Sequence, residues 1–250
     1  MKYLRSAIAL LGLLAGAVIL SVTFLLGLLH PSGTIAWWTT RAWAWLILYT
    51  GGVEALRSRG FEKLSGLSGA VVMSNHESLL DPVVIMALSA RPVRFLARHE
   101  LFYIPIFGWA MWSNGHLAVK RGESSAAVVW LSKAIRTVRE GELVLVYPEG
   151  SRSTVPDLLP FKKGGFLLAL RSGALIVPVG VFDTMQVCPK GWHWAGRAPV
   201  AAIVGEPIDT AAYSLNQVDM LMQVVRDRIL KLREQAAKMI LPDSKICELL

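Results

Sequence analysis

The sequence predicts one α/β domain, a largely parallel, mixed sheet flanked by helices, preceded by an N-terminal hydrophobic helical hairpin. Three observations carry that expectation. From residue 67 onward, short apolar runs alternate with stretches of helical periodicity, the βα rhythm that builds parallel sheets. Before them lie two long apolar segments parted by the turn His30-Pro31-Ser32-Gly33. And 54% of the 250 residues are hydrophobic against 18% charged, giving a mean hydropathy of +0.47, too apolar for an ordinary soluble domain. A chain of this length suits one α/β domain with an attached segment. The composition divides it into a membrane-anchoring hairpin over 1–52 and an α/β domain over 53–250.

Within the hairpin, the stretch 6–29 is uncharged and follows Lys2 and Arg5. It is long enough for a transmembrane helix of about 20 residues. A signal peptide has a shorter apolar core and a small-residue cleavage site, so the segment reads as retained. Residues 35–49 are apolar again but carry Arg41 and the tryptophans Trp37, Trp38, Trp43 and Trp45. Such a segment favours the headgroup region, so the second arm either returns through the bilayer or lies in its interface. Lys2 and Arg5 flank one end, Arg57 and Arg59 the other, and the turn has no Lys or Arg. The positive-inside rule then puts both ends, and the rest of the chain, on the cytoplasmic side of the inner membrane. The alternative is a core hairpin of a soluble protein, against which the uninterrupted first run argues.

Strands are expected over 70–73, 93–97, 116–119, 143–147, 175–179 and 199–204, and helices over 82–89, 105–112, 124–139, 162–171 and 217–235. Each strand is a short apolar run. In the last helix Val218, Leu221, Met222, Val225, Ile229 and Leu232 recur at helical spacing, a stripe that faces a core. The net charge of +8 suits anionic headgroups or phosphorylated substrates as well as nucleic acid. No motif favours nucleic acid, and none is expected as a partner. Cys188 and Cys247 lack metal-ligand spacing and are too few for a disulfide framework, which fits a reducing compartment.

The chemistry-bearing residues cluster at predicted strand ends. In Ser74-Asn75-His76-Glu77-Ser78-Leu79-Leu80-Asp81-Pro82, His76 stands at the carboxyl end of a strand, where open α/β sheets place their ligands. A histidine oriented by a nearby carboxylate, here Asp81, is a competent general base near neutral pH. Asp81-Pro82 equally reads as an N-cap followed by proline at the first helical position. Gly115-His116-Leu117-Ala118-Val119-Lys120-Arg121-Gly122 ends a strand on two cations, which an ordinary solvated terminus also does. Tyr147-Pro148-Glu149-Gly150-Ser151-Arg152-Ser153 follows another strand. There glycine permits close approach of the backbone to a ligand, and arginine can grip phosphate with two parallel hydrogen bonds. Phe161-Lys162-Lys163-Gly164-Gly165 opens a helix, a place that suits an anion.

Taken together, this set resembles the membrane-bound glycerolipid acyltransferase family, and within it the 1-acyl-glycerol-3-phosphate acyltransferases. The family's N-H-x-x-x-x-D motif is matched by Asn75, His76 and Asp81, and its glycine with arginine six residues later by Gly115 and Arg121. Its P-E-G-T-R-S motif is matched by Pro148, Glu149, Gly150, Arg152 and Ser153, with Ser151 in the threonine position, and its V-P strand by Val177 and Pro178. The segment around Arg98-His99-Glu100-Leu101 and the Gly205-Glu206-Pro207-Ile208 run also look like the family, which usually has lysine where Arg98 stands.

The resemblance implies a membrane-bound O-acyltransferase of phospholipid biosynthesis. It would move a fatty acyl group from acyl-CoA or acyl carrier protein to the free 2-hydroxyl of lysophosphatidic acid, giving phosphatidic acid. His76 would take the hydroxyl proton and Asp81 would stabilise the imidazolium, with no covalent acyl-enzyme, metal or other cofactor. Arg121, Glu149 and Arg152 would position the phosphate, with Lys120 and Arg98 as further candidates. Gly150 would offer a backbone N–H to phosphate or oxyanion. Glycerol-3-phosphate, another lysophospholipid or an amino-lipid are the alternative acceptors. Three rival classes fit less well. A lipase or thioesterase wants Gly-x-Ser-x-Gly, of which Gly66-Leu67-Ser68-Gly69 falls one residue short. A zinc hydrolase wants a second histidine where Leu80 stands. A non-catalytic membrane-surface protein leaves the strand-end residues without a task.

Overall fold

The computed structural model describes residues 2–29, 34–120, 124–155, 157–190 and 196–242. Two long helices, α1 (Lys2–Leu29) and α2 (Thr34–Gly51), lead into strand β1 (Val53–Arg59). Next come β2 (Ala70–Ser74), α3 (Leu80–Leu88), β3 (Val93–Arg98), α4 (Phe107–Ser113), β4 (Leu117–Val119) and α5 (Ser124–Arg139). The chain continues through β5 (Leu143–Val146), α6 (Gly164–Ser172), β6 (Leu175–Phe182), the single turn α7 (Thr184–Val187), β7 (Ala198–Val204) and α8 (Val218–Lys238). The seven strands lie in the order β1-β7-β6-β2-β5-β3-β4. All neighbours run parallel except β6 and β7. The expected α/β domain with a mostly parallel, mixed sheet is therefore present.

Apolar side chains on alternate residues divide the core into two layers, since successive strand residues point to opposite faces. Val72, Leu145 and Val177 pack with α2 and α3 on one face. Val71, Val144 and Ile176 pack with α5, α6 and α8 on the other. Covered on both sides, β2 and β5 read as unbroken apolar runs rather than as alternating ones. Two strand expectations need correction. β1 went unread because Glu54, Arg57 and Arg59 interrupt its apolar pattern, as charges on an edge strand do. β6 continues past Val179 to Phe182, where it pairs antiparallel with β7. Gly180 permits this extension beneath α8, because a Cβ there would lie 2.4 Å from the backbone nitrogen of Arg233.

The N-terminal helices pack against each other and onto the domain. A Cβ on Gly12 would meet Thr50 and one on Gly16 would meet Trp43, so small residues set the close approach. Thr23 donates to the Thr39 hydroxyl between the helices at 2.6 Å, and the rings of Phe24 and Trp109 stand 5.9 Å apart. Trp37, Ala44, Ile47 and Leu48 of α2 belong to the same buried cluster as Val83, Val84 and Ala87 of α3. Arg41 donates to the Ala87 carbonyl at 2.9 Å, satisfying one of the orphan acceptors at the end of α3. The expected membrane span has no counterpart here: among the described residues no helix is long and apolar enough to cross a membrane.

Candidate active site

The carboxyl ends of β2, β5 and β6 adjoin in the middle of the sheet, and the loops leaving them meet around His76. Asn75 anchors the first loop. Its side-chain nitrogen donates to the Val181 carbonyl and its oxygen accepts from the Val181 N–H, both at 2.8 Å, so a side chain imitates a strand partner on β6. His76 follows, with Nδ1 2.7 Å from Asp81 Oδ2. A carboxylate only accepts, so the ring proton sits on Nδ1 and Nε2 keeps its lone pair. The ring stacks on Tyr147, centroids 3.9 Å apart and planes 17° apart, which fixes its orientation from a second side.

Asp81 is fully buried. Its Oδ2 also accepts the backbone N–H groups of Glu77 at 2.8 Å and Ser78 at 2.9 Å, and its Oδ1 accepts the Thr184 hydroxyl. Helix α3 begins at Leu80, so Asp81 lies inside the first turn and turns back onto the preceding loop. The N-cap position is Leu79, and just before it the Ser78 hydroxyl accepts from the Leu80 N–H at 3.1 Å and donates to the Cys188 carbonyl at 2.6 Å. Asp81 thus bonds the His76 ring and the loop that precedes α3.

Glu149 is tied to the backbone around His76, at the edge of a small void that both residues line. It is buried, and its two oxygens accept the N–H groups of His76 and Leu159, each at 2.8 Å. Burial raises its carboxyl above the usual range, and those two backbone donors oppose the rise. These two bonds make it a clip that holds the His76 backbone. Ser153 adds a second tie by donating to the His76 carbonyl at 2.7 Å. Gly150 adopts φ +68° and donates its N–H to the Tyr147 carbonyl within the turn. Arg152 has a buried Nη1 without a hydrogen-bond partner, an orphan donor of the kind an anion would satisfy. Arg98 lies at the end of β3, exposed and 3.2 Å from Glu100. Lys120 follows β4 and is exposed. Arg121 lies outside the described residues, as does Cys247.

Sequence reasoning passed over Tyr147, Thr184 and Arg233 as site residues. Tyr147 opens the third motif and had a signal in that position. Thr184 stands 103 positions from Asp81, so spacing carries none. Burial raises the Tyr147 hydroxyl well above its ordinary value, and that hydroxyl is itself buried without a partner.

A parallel-rich sheet with a carboxylate-oriented histidine at its carboxyl edge suits a protein whose chemistry runs through a general base. The acyltransferase family model matches residues 55–182, and the chain belongs to that family. A 1-acyl-sn-glycerol-3-phosphate acyltransferase of Borreliella burgdorferi is 30% identical over 191 residues, covering 76% of each chain. A chloroplastic 1-acyl-sn-glycerol-3-phosphate acyltransferase of Brassica napus is 32% identical over 173 residues, 68% of this chain and 48% of that one. The match thus spans about half the length of the plant relative. Among solved structures, the 1-acyl-sn-glycerophosphate (LPA) acyltransferase PlsC from Thermotoga maritima superposes with a TM-score of 0.80 at 21% identity, covering 96% of this chain and 98% of that one.

Proposed function

We propose that the chain transfers a fatty acyl group from an acyl thioester, acyl-CoA or acyl carrier protein, to the 2-hydroxyl of lysophosphatidic acid. The observation that carries this reading is the 2.7 Å His76–Asp81 pair in a family member whose relatives bear that activity in their names. Nε2 of His76 takes the hydroxyl proton as the oxygen forms its bond to the thioester carbonyl carbon. The carbonyl electrons move onto oxygen and return as the C–S bond breaks, and the thiolate leaves with the proton that His76 held. Asp81 stabilises the imidazolium between those steps. Ser78, a hydroxyl of the same motif, is committed to the Cys188 carbonyl, which favours direct transfer over an acyl-serine.

Arg152 and Arg121, with Lys120 and Arg98 further out, are assigned to the acceptor phosphate. Glu149 and Gly150 shape the loop that carries Arg152. The unit 1–52 serves as the bilayer attachment of an α/β domain over 53–250. In place of a span, α1 and α2 lie in the interface of the inner membrane's cytoplasmic leaflet. Supporting this, Leu11, Val18 and Leu25 of α1 and Trp38, Trp45 and Tyr49 of α2 are exposed, as are Trp109 and Trp112 of α4. Tryptophan and tyrosine at a membrane surface suit the headgroup level. The test is an acceptor panel with radiolabelled acyl donor and purified protein in detergent. Lysophosphatidate is expected to exceed glycerol-3-phosphate and lysophospholipids with diester phosphates. A preference for any of those sinks the acceptor assignment.

A further inference from the structure

Glu77 lies beside the His76–Asp81 pair without a part in the steps above. Its side chain is 7% exposed, and its Oε2 stands 3.6 Å from Nη2 of Arg233. Its Oε1 lies 3.2 Å from the hydroxyl of Thr184, a fully buried residue that also bonds Asp81 Oδ1. A hydroxyl has one proton to give, yet this one faces two carboxylates. Both bonds form together when Glu77 is protonated: Glu77 donates to Thr184, and Thr184 donates to Asp81. When Glu77 ionises, Thr184 keeps one acceptor and Arg233 holds the other carboxylate. Arg233 reaches this point because Gly180 lets the α8 backbone settle on β6.

We propose that Thr184 and Glu77 are positioning residues for acyl transfer, joined with Arg233 in a buried arm that holds the Asp81 carboxylate against His76 and sets the charge behind it. The proposal rests on the reading of His76 as the base. Burial raises the Glu77 carboxyl to about 7, the Asp81 charge adds to the rise and Arg233 opposes it. The groups that face Glu77 are Asp81 on α3, Arg233 on α8, and Thr184 and the Met185 N–H on α7, and His76 shares a small void with it. Asp183 lies next to Thr184, and Glu149 and Asp157 line the same small void. Below the Glu77 transition the arm carries Arg233's positive charge against Asp81 alone. Above it, a second negative charge stabilises the imidazolium that forms as His76 takes the hydroxyl proton, so transfer speeds up as Glu77 ionises.

The test measures kcat against pH for the full chain in detergent, with acyl-CoA and lysophosphatidate, in wild type, Glu77→Gln, Thr184→Val, Thr184→Ser and His76→Ala. Glutamine cannot ionise, so the ratio of wild-type to Glu77→Gln kcat should rise about threefold or more between pH 6 and 8.5. Thr184→Val should lose about tenfold in kcat with acceptor KM unchanged, and Thr184→Ser should restore it, a split that a merely stabilising hydroxyl does not produce. Should Thr184→Val fail to fold, the Glu77→Gln ratio decides alone. Parallel wild-type and Glu77→Gln profiles beside an inactive His76→Ala overturn the arm. An active His76→Ala overturns the reading of the base on which it rests.

Discussion

Asp81 draws donors from three parts of the chain: the ring before it, the loop N–H groups of Glu77 and Ser78, and a hydroxyl on α7. That convergence makes Asp81→Asn informative. An amide nitrogen would donate to His76 Nδ1, shift the ring proton to Nε2 and remove the lone pair that takes the substrate proton. Activity should fall by a factor on the order of 10² to 10⁴, as for loss of a general base, while circular dichroism and melting establish that the fold persists. If Asp81→Asn keeps full activity and Asp81→Ala loses only thermal stability, the capping role wins. Arg152→Ala should raise the acceptor KM about tenfold, the worth of one charge-assisted bond, with donor KM little changed. A rise in donor KM alone moves Arg152 to the thioester side. The motif spacing made His76 and Asp81 legible as a pair. It could not say that Glu149 points inward at two backbone N–H groups, because the direction of a side chain depends on the loop it meets.

At the level of elements, α2 is both surface and core. Its Trp38 and Trp45 are exposed while Trp37 and Ala44 are buried over α3. Removing residues 1–52 should therefore lower the melting temperature sharply, whereas removing α1 alone should chiefly weaken vesicle binding. Vesicle flotation and a thermal melt of both truncations check this, and a stable 53–250 fragment contradicts it. Arg41→Ala frees the Ala87 carbonyl and should cost about 1 kcal/mol, read by denaturant titration. The sequence reading took Arg41 and the tryptophans as signs of a membrane interface. Composition shows that a helix is amphipathic or aromatic, but not which of its faces another helix will cover. The same limit hid β1, whose charges mark a strand only once β7 lies beside it.

For the whole molecule, Glu77 adds a pH dependence to stability. Its folded-state value, about 7, lies above the ordinary 4.5. A raised carboxyl contributes stability that is complete below the unfolded value and lost as pH rises through the folded one. Wild type should accordingly lose stability between about pH 4.5 and 7 relative to Glu77→Gln, measured by urea unfolding at each pH. A flat difference between the two contradicts the shift. The net charge of +8 should make binding to anionic vesicles stronger than to neutral ones and weaker as salt rises. Alternation of apolar runs and helical periods made the layered architecture legible, since each layer's pattern follows from burial on one or two faces. Strand order was not legible, and neither was the junction of α7 and α8 behind the base, because those contacts join distant segments.

The most direct test of the account is the rate of phosphatidic acid formation from radiolabelled acyl-CoA and lysophosphatidate, compared between wild type and His76→Ala under single-turnover conditions. The account predicts label in phosphatidic acid for wild type, with no labelled protein before it, and a rate about 10² to 10⁴ times lower for His76→Ala. Undiminished transfer by His76→Ala, or label that passes through the protein first, would contradict it.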